Sequence, residues 1–229
     1  MTSFTITALM TAPRYECTSA RNVIEQTMRK LGVPLGVSGG VYYGQCMQTM
    51  MQHAVETDVD YILTVDGDSV FTPEQVRALV ARINADESID ALAPVQVRRG
   101  SSVVLATAKD REQQISGGPI QVETAHFGCT VLRASKLRTV GKPWFFSQPN
   151  KDGEWGDGKV DADIWFWNQW KAAGNSAYVD PMVKIGHVEE MVTFVDHGMN
   201  VRHIHLADWL ERFGGVEKPH AEREPEVYV

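Results

Sequence analysis

Short apolar runs alternate with segments of helical periodicity along most of the chain. The strand-like runs cover residues 4–10, 59–65, 89–97, 126–132 and 178–185, and the last of them is expected to be the final strand. Between them, apolar positions recur every three or four residues in segments 19–31, 43–57, 72–83 and 161–173. This alternation predicts an α/β fold with a mostly parallel central sheet that is flanked by helices.

Capping signals mark several helix ends. Ser19 is expected to cap the first helix and Gly32 to end it. Thr72, Pro73 and Gln75 form the start of another helix, with proline in its first position and a capping box. These signals place loops directly after the predicted strands.

Polar stretches with glycine or proline predict the longer loops and the division of the chain. Residues 98–118 predict a mobile loop or a short hairpin, and residues 150–159 predict a loop rich in glycine and aspartate. The charged, proline-containing tail after residue 214 predicts poor packing. We therefore expect one main domain over residues 1–195 and a C-terminal segment over 196–229 that is partly helical before a flexible tail.

Composition narrows the class of protein. The 229 residues carry a formal net charge of -7 without a long lysine or arginine block, which disfavours nonspecific binding to a polyanion. The three cysteines form no CxxC pair, so neither a disulfide framework nor a zinc ribbon is expected. The N-terminus lacks signal-peptide character, and no apolar run is long enough to cross a bilayer. We expect a soluble cytoplasmic protein.

Two carboxylates follow the apolar strand 59–65. Asp66 and Asp68 are separated only by Gly67, which has no side chain to obstruct a ligand. In parallel α/β sheets, ligands bind at the carboxyl ends of strands, and paired carboxylates suit Mg²⁺ or Mn²⁺. An ordinary turn is the alternative, because Asp-Gly is a common turn dipeptide. The spacing alone does not decide between them.

Four segments resemble one enzyme family. The run ILTVDGDSVFTPEQV at 62–76 resembles the Asp-x-Asp segment of GT-A fold glycosyltransferases, and HFGCTVLRASK at 126–136 resembles the acceptor-side strand of their family 2 members. KVDADIW at 159–165 is similar to the Glu-Asp-x-Asp-Leu segment of that family, with Val160 in place of the glutamate. KIGH at 184–187 resembles a late strand that ends in a metal-binding histidine. The resemblance implies a single GT-A, Rossmann-like domain.

The resemblance also implies roles for the donor site. Asp66 would contact the ribose or sugar of a nucleotide-sugar donor, and Asp68 would hold Mn²⁺ or Mg²⁺ against its diphosphate. His187 would complete the metal shell, although a strand-end histidine that bonds a carbonyl is the alternative. Gly67 lies between the two carboxylates. The loop after the first strand would grip the nucleoside through Thr11, Pro13, Arg14 and Tyr15.

The family pattern makes Asp161 the expected general base of an inverting transfer, since a carboxylate must take the proton of the acceptor hydroxyl. Asp161 also precedes a predicted helix and is a candidate N-cap, with Asp163 favourable in the first turn. Val160 leaves the base assignment, and inversion as against retention, open. Trp144, Trp155 and Asp163 are candidate contacts for the acceptor or the sugar.

Other sites are excluded or left open. Segment 39–44 is not a dinucleotide fingerprint, and neither a Walker A nor a GxSxG sequence occurs. Segment 152–163 has Asp157 where a calcium loop needs glycine. Trp165, Trp167 and Trp170 are expected in the core. The roles of His197, His203 and His205 stay open.

The predicted activity is a metal-dependent sugar transfer from a UDP- or GDP-sugar to an acceptor hydroxyl. The alternatives are a nucleotidyltransferase, for which the segment TAPRYE at 11–16 is a poor match, and a non-catalytic module that binds nucleotide sugars. The acceptor stays open among a glycan, a small molecule, a protein and a modified DNA base. A phosphate backbone would meet the local basic residues Arg98, Arg99, Lys109 and Arg111.

Overall fold

Strands and helices alternate along the computed structural model, which describes residues 4–12, 17–97 and 117–213. The strands are β1 Ile6–Ala12, β2 Leu35–Gly39, β3 Tyr61–Val65, β4 Ser69–Val70, β5 Ala91–Val95, β6 Ile120–Gln121, β7 Cys129–Arg133, β8 Ala177–Lys184, β9 Gly186–His187, β10 Met191–Val195 and β11 Val201–His205. The helices are α1 Thr18–Leu31, α2 Tyr43–Glu56, α3 Pro73–Ala85, α4 Ala134–Leu137, α5 Ala162–Ala172 and α6 Leu206–Phe213.

Seven strands form the central sheet in the order β2-β1-β3-β7-β5-β8-β6. Pairs β1–β2, β1–β3 and β5–β8 are parallel, whereas β7 runs antiparallel to both β3 and β5 and β6 runs antiparallel to β8. Five strands therefore share one direction and two oppose it. The predicted α/β class with a mostly parallel sheet is confirmed, and the architecture is consistent with a GT-A-like fold.

Side chains of the central strands alternate between two buried layers because strand side chains point to opposite faces. In β1, Leu9 belongs to one apolar cluster, together with residues of α2, α4 and α5. Its neighbours Ala8 and Met10 belong to the other cluster, together with residues of α1 and α3. Both faces of the sheet are thus covered by helices, as a largely parallel sheet requires.

Aromatic rings dominate the layer under α5. Phe127 stacks on Trp167 with centroids 5.3 Å apart, and Phe166 lies between Phe145 and Trp170 at 5.1 and 5.7 Å. All five rings are buried. The expected core role of Trp167 and Trp170 is confirmed, whereas Trp165 is only half-buried.

The helix ends agree with most of the capping signals. Thr72 caps α3: its hydroxyl accepts the Gln75 N–H at 3.4 Å, and its own N–H donates to Gln75 Oε1 at 2.7 Å. Gly32 ends α1 in the left-handed region at φ 67°. The N-cap of α1, however, is Cys17 rather than the predicted Ser19, and the Cys17 side chain makes no capping hydrogen bond.

Several elements differ from the prediction. β2 was not predicted, and the strand β8 is not the last, since β9, β10 and β11 follow it. The chain divides into one unit over Met1–Val188 and a second over Glu189–Val229. The predicted boundary at residue 195 falls inside the second unit, at the end of β10. In that unit β10 and β11 form an antiparallel hairpin, followed directly by α6.

Two predictions lie outside the described residues. They are the loop or hairpin over 98–118, except for its last two residues, and the tail after 214. In the part of the chain that the structure describes, no helix combines the length and the apolar character needed to span a membrane.

Thr72→Ala tests the capping box of α3. Loss of the hydrogen bond that the Thr72 hydroxyl accepts from the Gln75 N–H should lower the free energy of unfolding by about 1 kcal/mol. Urea unfolding monitored by circular dichroism measures this change. Cys17→Ala, at the N-cap of α1 where no side-chain hydrogen bond exists, is the matched control and should change stability by less than about 0.5 kcal/mol. Equal losses in the two variants would contradict the assigned role of Thr72.

Candidate active site

The candidate site lies at the edge of the sheet where β1, β2, β3, β5 and β8 end. Asp66 directly follows β3, and Gln96 directly follows β5. The antiparallel strand β7 begins at the same edge, because Cys129 is in register with Val65. Six segments of the chain therefore meet at this edge, as expected for an α/β sheet.

The loop after β1, which is expected to contact the nucleoside of a donor, is described only in part. Met10 is in register with Val65, so Thr11 lies at the level of Asp66 on the neighbouring strand. Pro13, Arg14 and Tyr15 lie outside the described residues. Their expected contacts with a donor stay predictions.

A turn and a short strand pair set the position of Asp68. The Ser69 N–H donates to the Asp66 carbonyl at 3.0 Å, which closes a turn over Gly67 and Asp68. β4 then pairs antiparallel with β9, with Ser69 opposite His187. Gly186 permits this close pairing, because a Cβ there would lie 2.6 Å from Val70 Cγ2. The pairing brings His187 beside Asp68.

The His187 imidazole bridges a carbonyl and a carboxylate. Its Nδ1 lies 3.0 Å from the Val97 carbonyl oxygen, and its Nε2 lies 3.2 Å from Asp68 Oδ2. A carbonyl only accepts hydrogen bonds, so Nδ1 carries a hydrogen. In the neutral ring the Nε2 lone pair then faces a carboxylate oxygen. Either a proton or a cation between the two atoms satisfies this arrangement.

Both side chains remain reachable from solvent. Asp68 is 25% exposed and His187 is 14% exposed, so a bound cation would keep open positions for further ligands. Within residues 4–12, 17–97 and 117–213, no group of three His, Cys, Asp or Glu side chains could hold a metal ion. The protein would thus supply two ligands, and ligand or water oxygens would fill the remaining positions, as is usual for Mg²⁺.

A buried polar network supports this pair from behind. Gln96 Nε2 donates to Ser69 Oγ at 2.9 Å and to the Gly186 carbonyl at 3.3 Å. Gln96 and Ser69 are both buried. The network therefore connects the end of β5 to β4, which directly follows Asp68, and to β9, which carries His187. None of its residues was predicted, and the only signal was a polar glutamine directly after an apolar strand.

His126 belongs to the same buried layer. Its Nε2 lies 2.8 Å from the Pro94 carbonyl, and its Nδ1 accepts the Gly128 N–H at 3.0 Å, so the neutral ring has both nitrogens paired. Burial lowers the pKa of His126 to about 4; the hydrogen bond to Pro94 opposes this shift, and nearby His187 adds to it. His126 is consequently uncharged near neutral pH.

Carboxylates from two elements approach the start of α2. Burial is the main cause that raises the pKa of the Tyr43 hydroxyl well above its ordinary value, and the charges of Asp66 and Asp163 raise it further. The structure thus brings Asp163, in the first turn of α5, to the same tyrosine as Asp66. Tyr43 was not predicted as a site residue.

Asp161 occupies the N-cap position of α5, yet its side chain makes no capping hydrogen bond. Its Oδ1 lies 3.2 Å from Lys159 Nζ, and the side chain is 54% exposed. Asp163 Oδ1 accepts the Ile164 N–H at 2.8 Å. The carboxylate of Asp161 is therefore not engaged in capping the start of α5.

The two tryptophan candidates have different surroundings. Trp144 is only 3% exposed, its indole N–H donates to the Val140 carbonyl, and Lys142 lies over its ring. This burial corrects the expected role of Trp144 as a stacking surface. Trp155 is 61% exposed, so its indole is open to a ligand. It lies in a loop in which Asn150 Oδ1 accepts two backbone N–H groups.

Comparison with known proteins gives similarity of structure only. No protein-family model matches the chain, and no curated protein matches it. A197 from STIV superimposes with a TM-score of 0.58 at 15% identity, over 97% of this chain and 100% of that chain. This likeness shows a shared fold.

Two further structures match more weakly. GalNAc-T7, solved with UDP, GalNAc and Mn²⁺, has a TM-score of 0.48 at 11% identity, over 80% of this chain and 44% of that chain. TarS 1-349 of S. aureus has a TM-score of 0.46 at 11% identity, over 80% of this chain and 60% of that chain.

Gly128→Ala tests the buried network. An added Cβ would lie 2.5 Å from Gln96 Oε1, 2.7 Å from Ser69 Oγ and 2.9 Å from His126 Nδ1. We expect a loss of about 1–3 kcal/mol in the free energy of unfolding, measured with urea. Gly141→Ala, where a Cβ meets no heavy atom within 4 Å, is the control and should be close to neutral. A neutral Gly128→Ala would contradict the described packing.

The pKa of His126 predicts a pH dependence of stability. Below about pH 6.5 the unfolded chain binds a proton at His126, whereas the folded chain does not until about pH 4. The stability that His126 contributes by staying neutral in the folded chain is fully present above pH 6.5 and is lost as the pH falls towards 4. Between pH 7 and pH 5 the free energy of unfolding should fall by about 2 kcal/mol from this cause. Urea unfolding at both pH values should show a smaller loss for His126→Gln than for wild type. His53 is exposed, so the control His53→Gln should lose as much stability between the two pH values as wild type. An equal loss in His126→Gln and wild type would contradict the prediction.

Proposed function

We propose that this protein is a metal-dependent glycosyltransferase that moves a sugar from a nucleotide-sugar donor, a UDP- or GDP-sugar, to an acceptor hydroxyl. The observation that carries the proposal is the pairing of Asp68 with His187, whose imidazole is oriented by the Val97 carbonyl. A carbonyl-oriented imidazole beside a carboxylate is the usual environment of a metal-binding histidine. The sequence resemblance of four ordered segments points to the same activity.

Asp68 and His187 would hold Mn²⁺ or Mg²⁺. The ion, when bound, neutralises negative charge on the departing nucleoside diphosphate. Asp66 would accept hydrogen bonds from the ribose or sugar hydroxyls of the donor, and Gly67 would let the donor approach the backbone. Thr11, with Pro13, Arg14 and Tyr15 of the following loop, would contact the nucleoside.

Asp161 would act as the general base. Its carboxylate takes the proton of the acceptor hydroxyl while the acceptor oxygen forms a bond to the anomeric carbon, and the bond from that carbon to the diphosphate oxygen breaks. Attack opposite the leaving diphosphate inverts the anomeric centre. The absence of a capping hydrogen bond at Asp161 supports this role, because its carboxylate can accept a proton without breaking a hydrogen bond to the start of α5. Asp163 and the exposed Trp155 would contact the sugar or the acceptor.

Binding of nucleoside diphosphate tests the metal site directly. In wild type, UDP or GDP with Mn²⁺ should stabilise the fold by about 2.7 kcal/mol at a ligand concentration a hundredfold above Kd, and should do so less without the metal. Thermal unfolding measures this effect. Asp68→Asn should abolish the metal-dependent part, and the exposed control Asp208→Asn should keep it. Wild type that responds to neither diphosphate would overturn the proposal.

Turnover distinguishes an enzyme from a binding module. The variant Asp161→Asn is measured both by thermal unfolding and by turnover. It should retain the metal-dependent thermal shift while release of UDP or GDP from the nucleotide sugar falls by at least about a hundredfold. Release of pyrophosphate from a nucleoside triphosphate by wild type would instead identify a nucleotidyltransferase.

A further inference from the structure

An open groove runs along the exposed side of α2, and neither Asp68 nor His187 is among its lining residues. One wall is formed by the helix and the other by the loop that precedes α5. Its volume is about 280 Å³. We call it the glutamine groove, and its lining side chains are Gln45, Gln48, Thr49 and Gln52 of α2, with Pro143 and Phe145 opposite.

The polar lining is uncharged. Its helix residues recur at positions i, i+3, i+4 and i+7, so they form one continuous stripe. A carboxamide both donates and accepts hydrogen bonds, as a sugar hydroxyl does. No lysine, arginine, aspartate or glutamate is among the lining residues. The groove thus offers paired donors and acceptors without a counter-charge for an anionic ligand.

Two of the carboxamides have hydrogen-bonding capacity left for a ligand. Gln48 Oε1 accepts the Trp144 N–H at 3.0 Å, which fixes the side chain and leaves its amide nitrogen as a donor. Gln45 is exposed, and within the part of the chain that the structure describes its carboxamide makes no hydrogen bond. At the far end, Gln52 Oε1 accepts from Lys142 Nζ at 3.0 Å and Gln52 Nε2 donates to Glu56 at 3.1 Å.

The opposite wall is apolar and rigid. The Phe145 ring stacks on Phe166 at 5.1 Å and meets Tyr43 edge to face at 6.0 Å. Pro143 lies beside it along the groove. A pyranose ring has an apolar C–H face and a rim of hydroxyls, so it complements an apolar wall that faces a stripe of amides.

The groove begins next to the proposed base. A Cβ at Gly44 would lie 2.8 Å from Phe145 Cβ and 3.6 Å from Ala162 Cβ, so the helices α2 and α5 touch at this point. Ala162 stands between Asp161 and Asp163. From Gly44 to Gln52 the helix rises by about 12 Å. The groove therefore extends from the first turn of α5 outward along α2.

We propose that the glutamine groove binds an uncharged saccharide, which is the acceptor of the transfer. Its identity as acceptor rests on the proposed function, whereas binding of saccharide in the groove does not. The amides of Gln45 and Gln48 hydrogen-bond its hydroxyls, and Phe145 and Pro143 contact its ring. A phosphorylated sugar or a nucleic acid is disfavoured, because Lys142 at the rim is already engaged with Gln52 and with the Trp144 ring.

The test uses the full chain and neutral disaccharides of glucose, galactose, mannose and N-acetylglucosamine. Binding is followed by ligand-observed saturation-transfer NMR titration. At least one disaccharide should bind wild type. Gln45→Ala should weaken it about threefold to tenfold, the effect of one lost hydrogen bond, and Thr49→Arg should abolish it by filling the groove.

Matched controls are available on α1. Gln26 is exposed on that helix and does not line the groove. Gln26→Ala repeats the glutamine-to-alanine change, and Gln26→Arg introduces an arginine on another helix surface, so both should bind as wild type. Thermal unfolding of all four variants checks that they fold. If no disaccharide binds, if Thr49→Arg binds as well as wild type, or if only sugar phosphates compete for the groove, the proposal is overturned.

The two proposals fail separately. Metal-dependent stabilisation by UDP or GDP without saccharide binding removes the glutamine groove proposal and leaves the transferase. Saccharide binding that is lost in Thr49→Arg, without any response to nucleotide, supports the groove as a carbohydrate site and removes the transferase.

Discussion

The antiparallel pairing of β4 with β9 is the contact on which the candidate site depends. It joins Ser69 to His187 and Val70 to Gly186, residues more than a hundred positions apart in the chain. Without it, Asp68 would end a turn with no histidine beside it. The pairing requires glycine at 186 and is tied to β5 through Gln96, so the position of Asp68 and His187, the pair proposed to hold a metal ion, is determined by backbone pairing and by one buried amide.

Neutral groups surround the back of the site, and acidic groups surround its front. His126, Gln96 and Ser69 are buried with their hydrogen bonds satisfied, so this layer brings no charge near His187. Asp66 and Asp163, by contrast, are close enough to raise the pKa of Tyr43. Negative charge gathered at a partly exposed edge, with a rigid uncharged support behind it, is an arrangement that a divalent cation stabilises.

The two proposed sites differ in chemistry and share α2. Its N-terminus, at Tyr43 and Gly44, lies by the carboxylates, and its later turns carry the uncharged glutamine stripe. A charged donor and a neutral acceptor would thus be distinguished by the electrostatic character of the surfaces that receive them. Phe145 connects the two, because its ring contacts Tyr43 on one side and lines the groove on the other.

Local sequence determined those elements whose signals lie within a few residues. The periodic apolar positions predicted α2, α3 and α5, the Thr72 to Gln75 segment predicted its capping box, and the apolar run into Asp66 placed the acidic pair at the end of a strand. These features depend on helix and strand periodicity and on backbone hydrogen bonds between near neighbours, and the structure confirms them.

Tertiary structure alone decided the rest. β2, the glycine-containing sequence LGVSG, has little strand propensity and exists because β1 pairs with it. Trp144 is buried although it lies in a loop, because it packs into the apolar cluster that contains residues of α2, α4 and α5. Asp161 stands at an N-cap position without capping, and Gln96 becomes a buried support only when β5 lies beside β7 and β8. Such contacts join distant parts of the chain, so they leave no local pattern in the sequence.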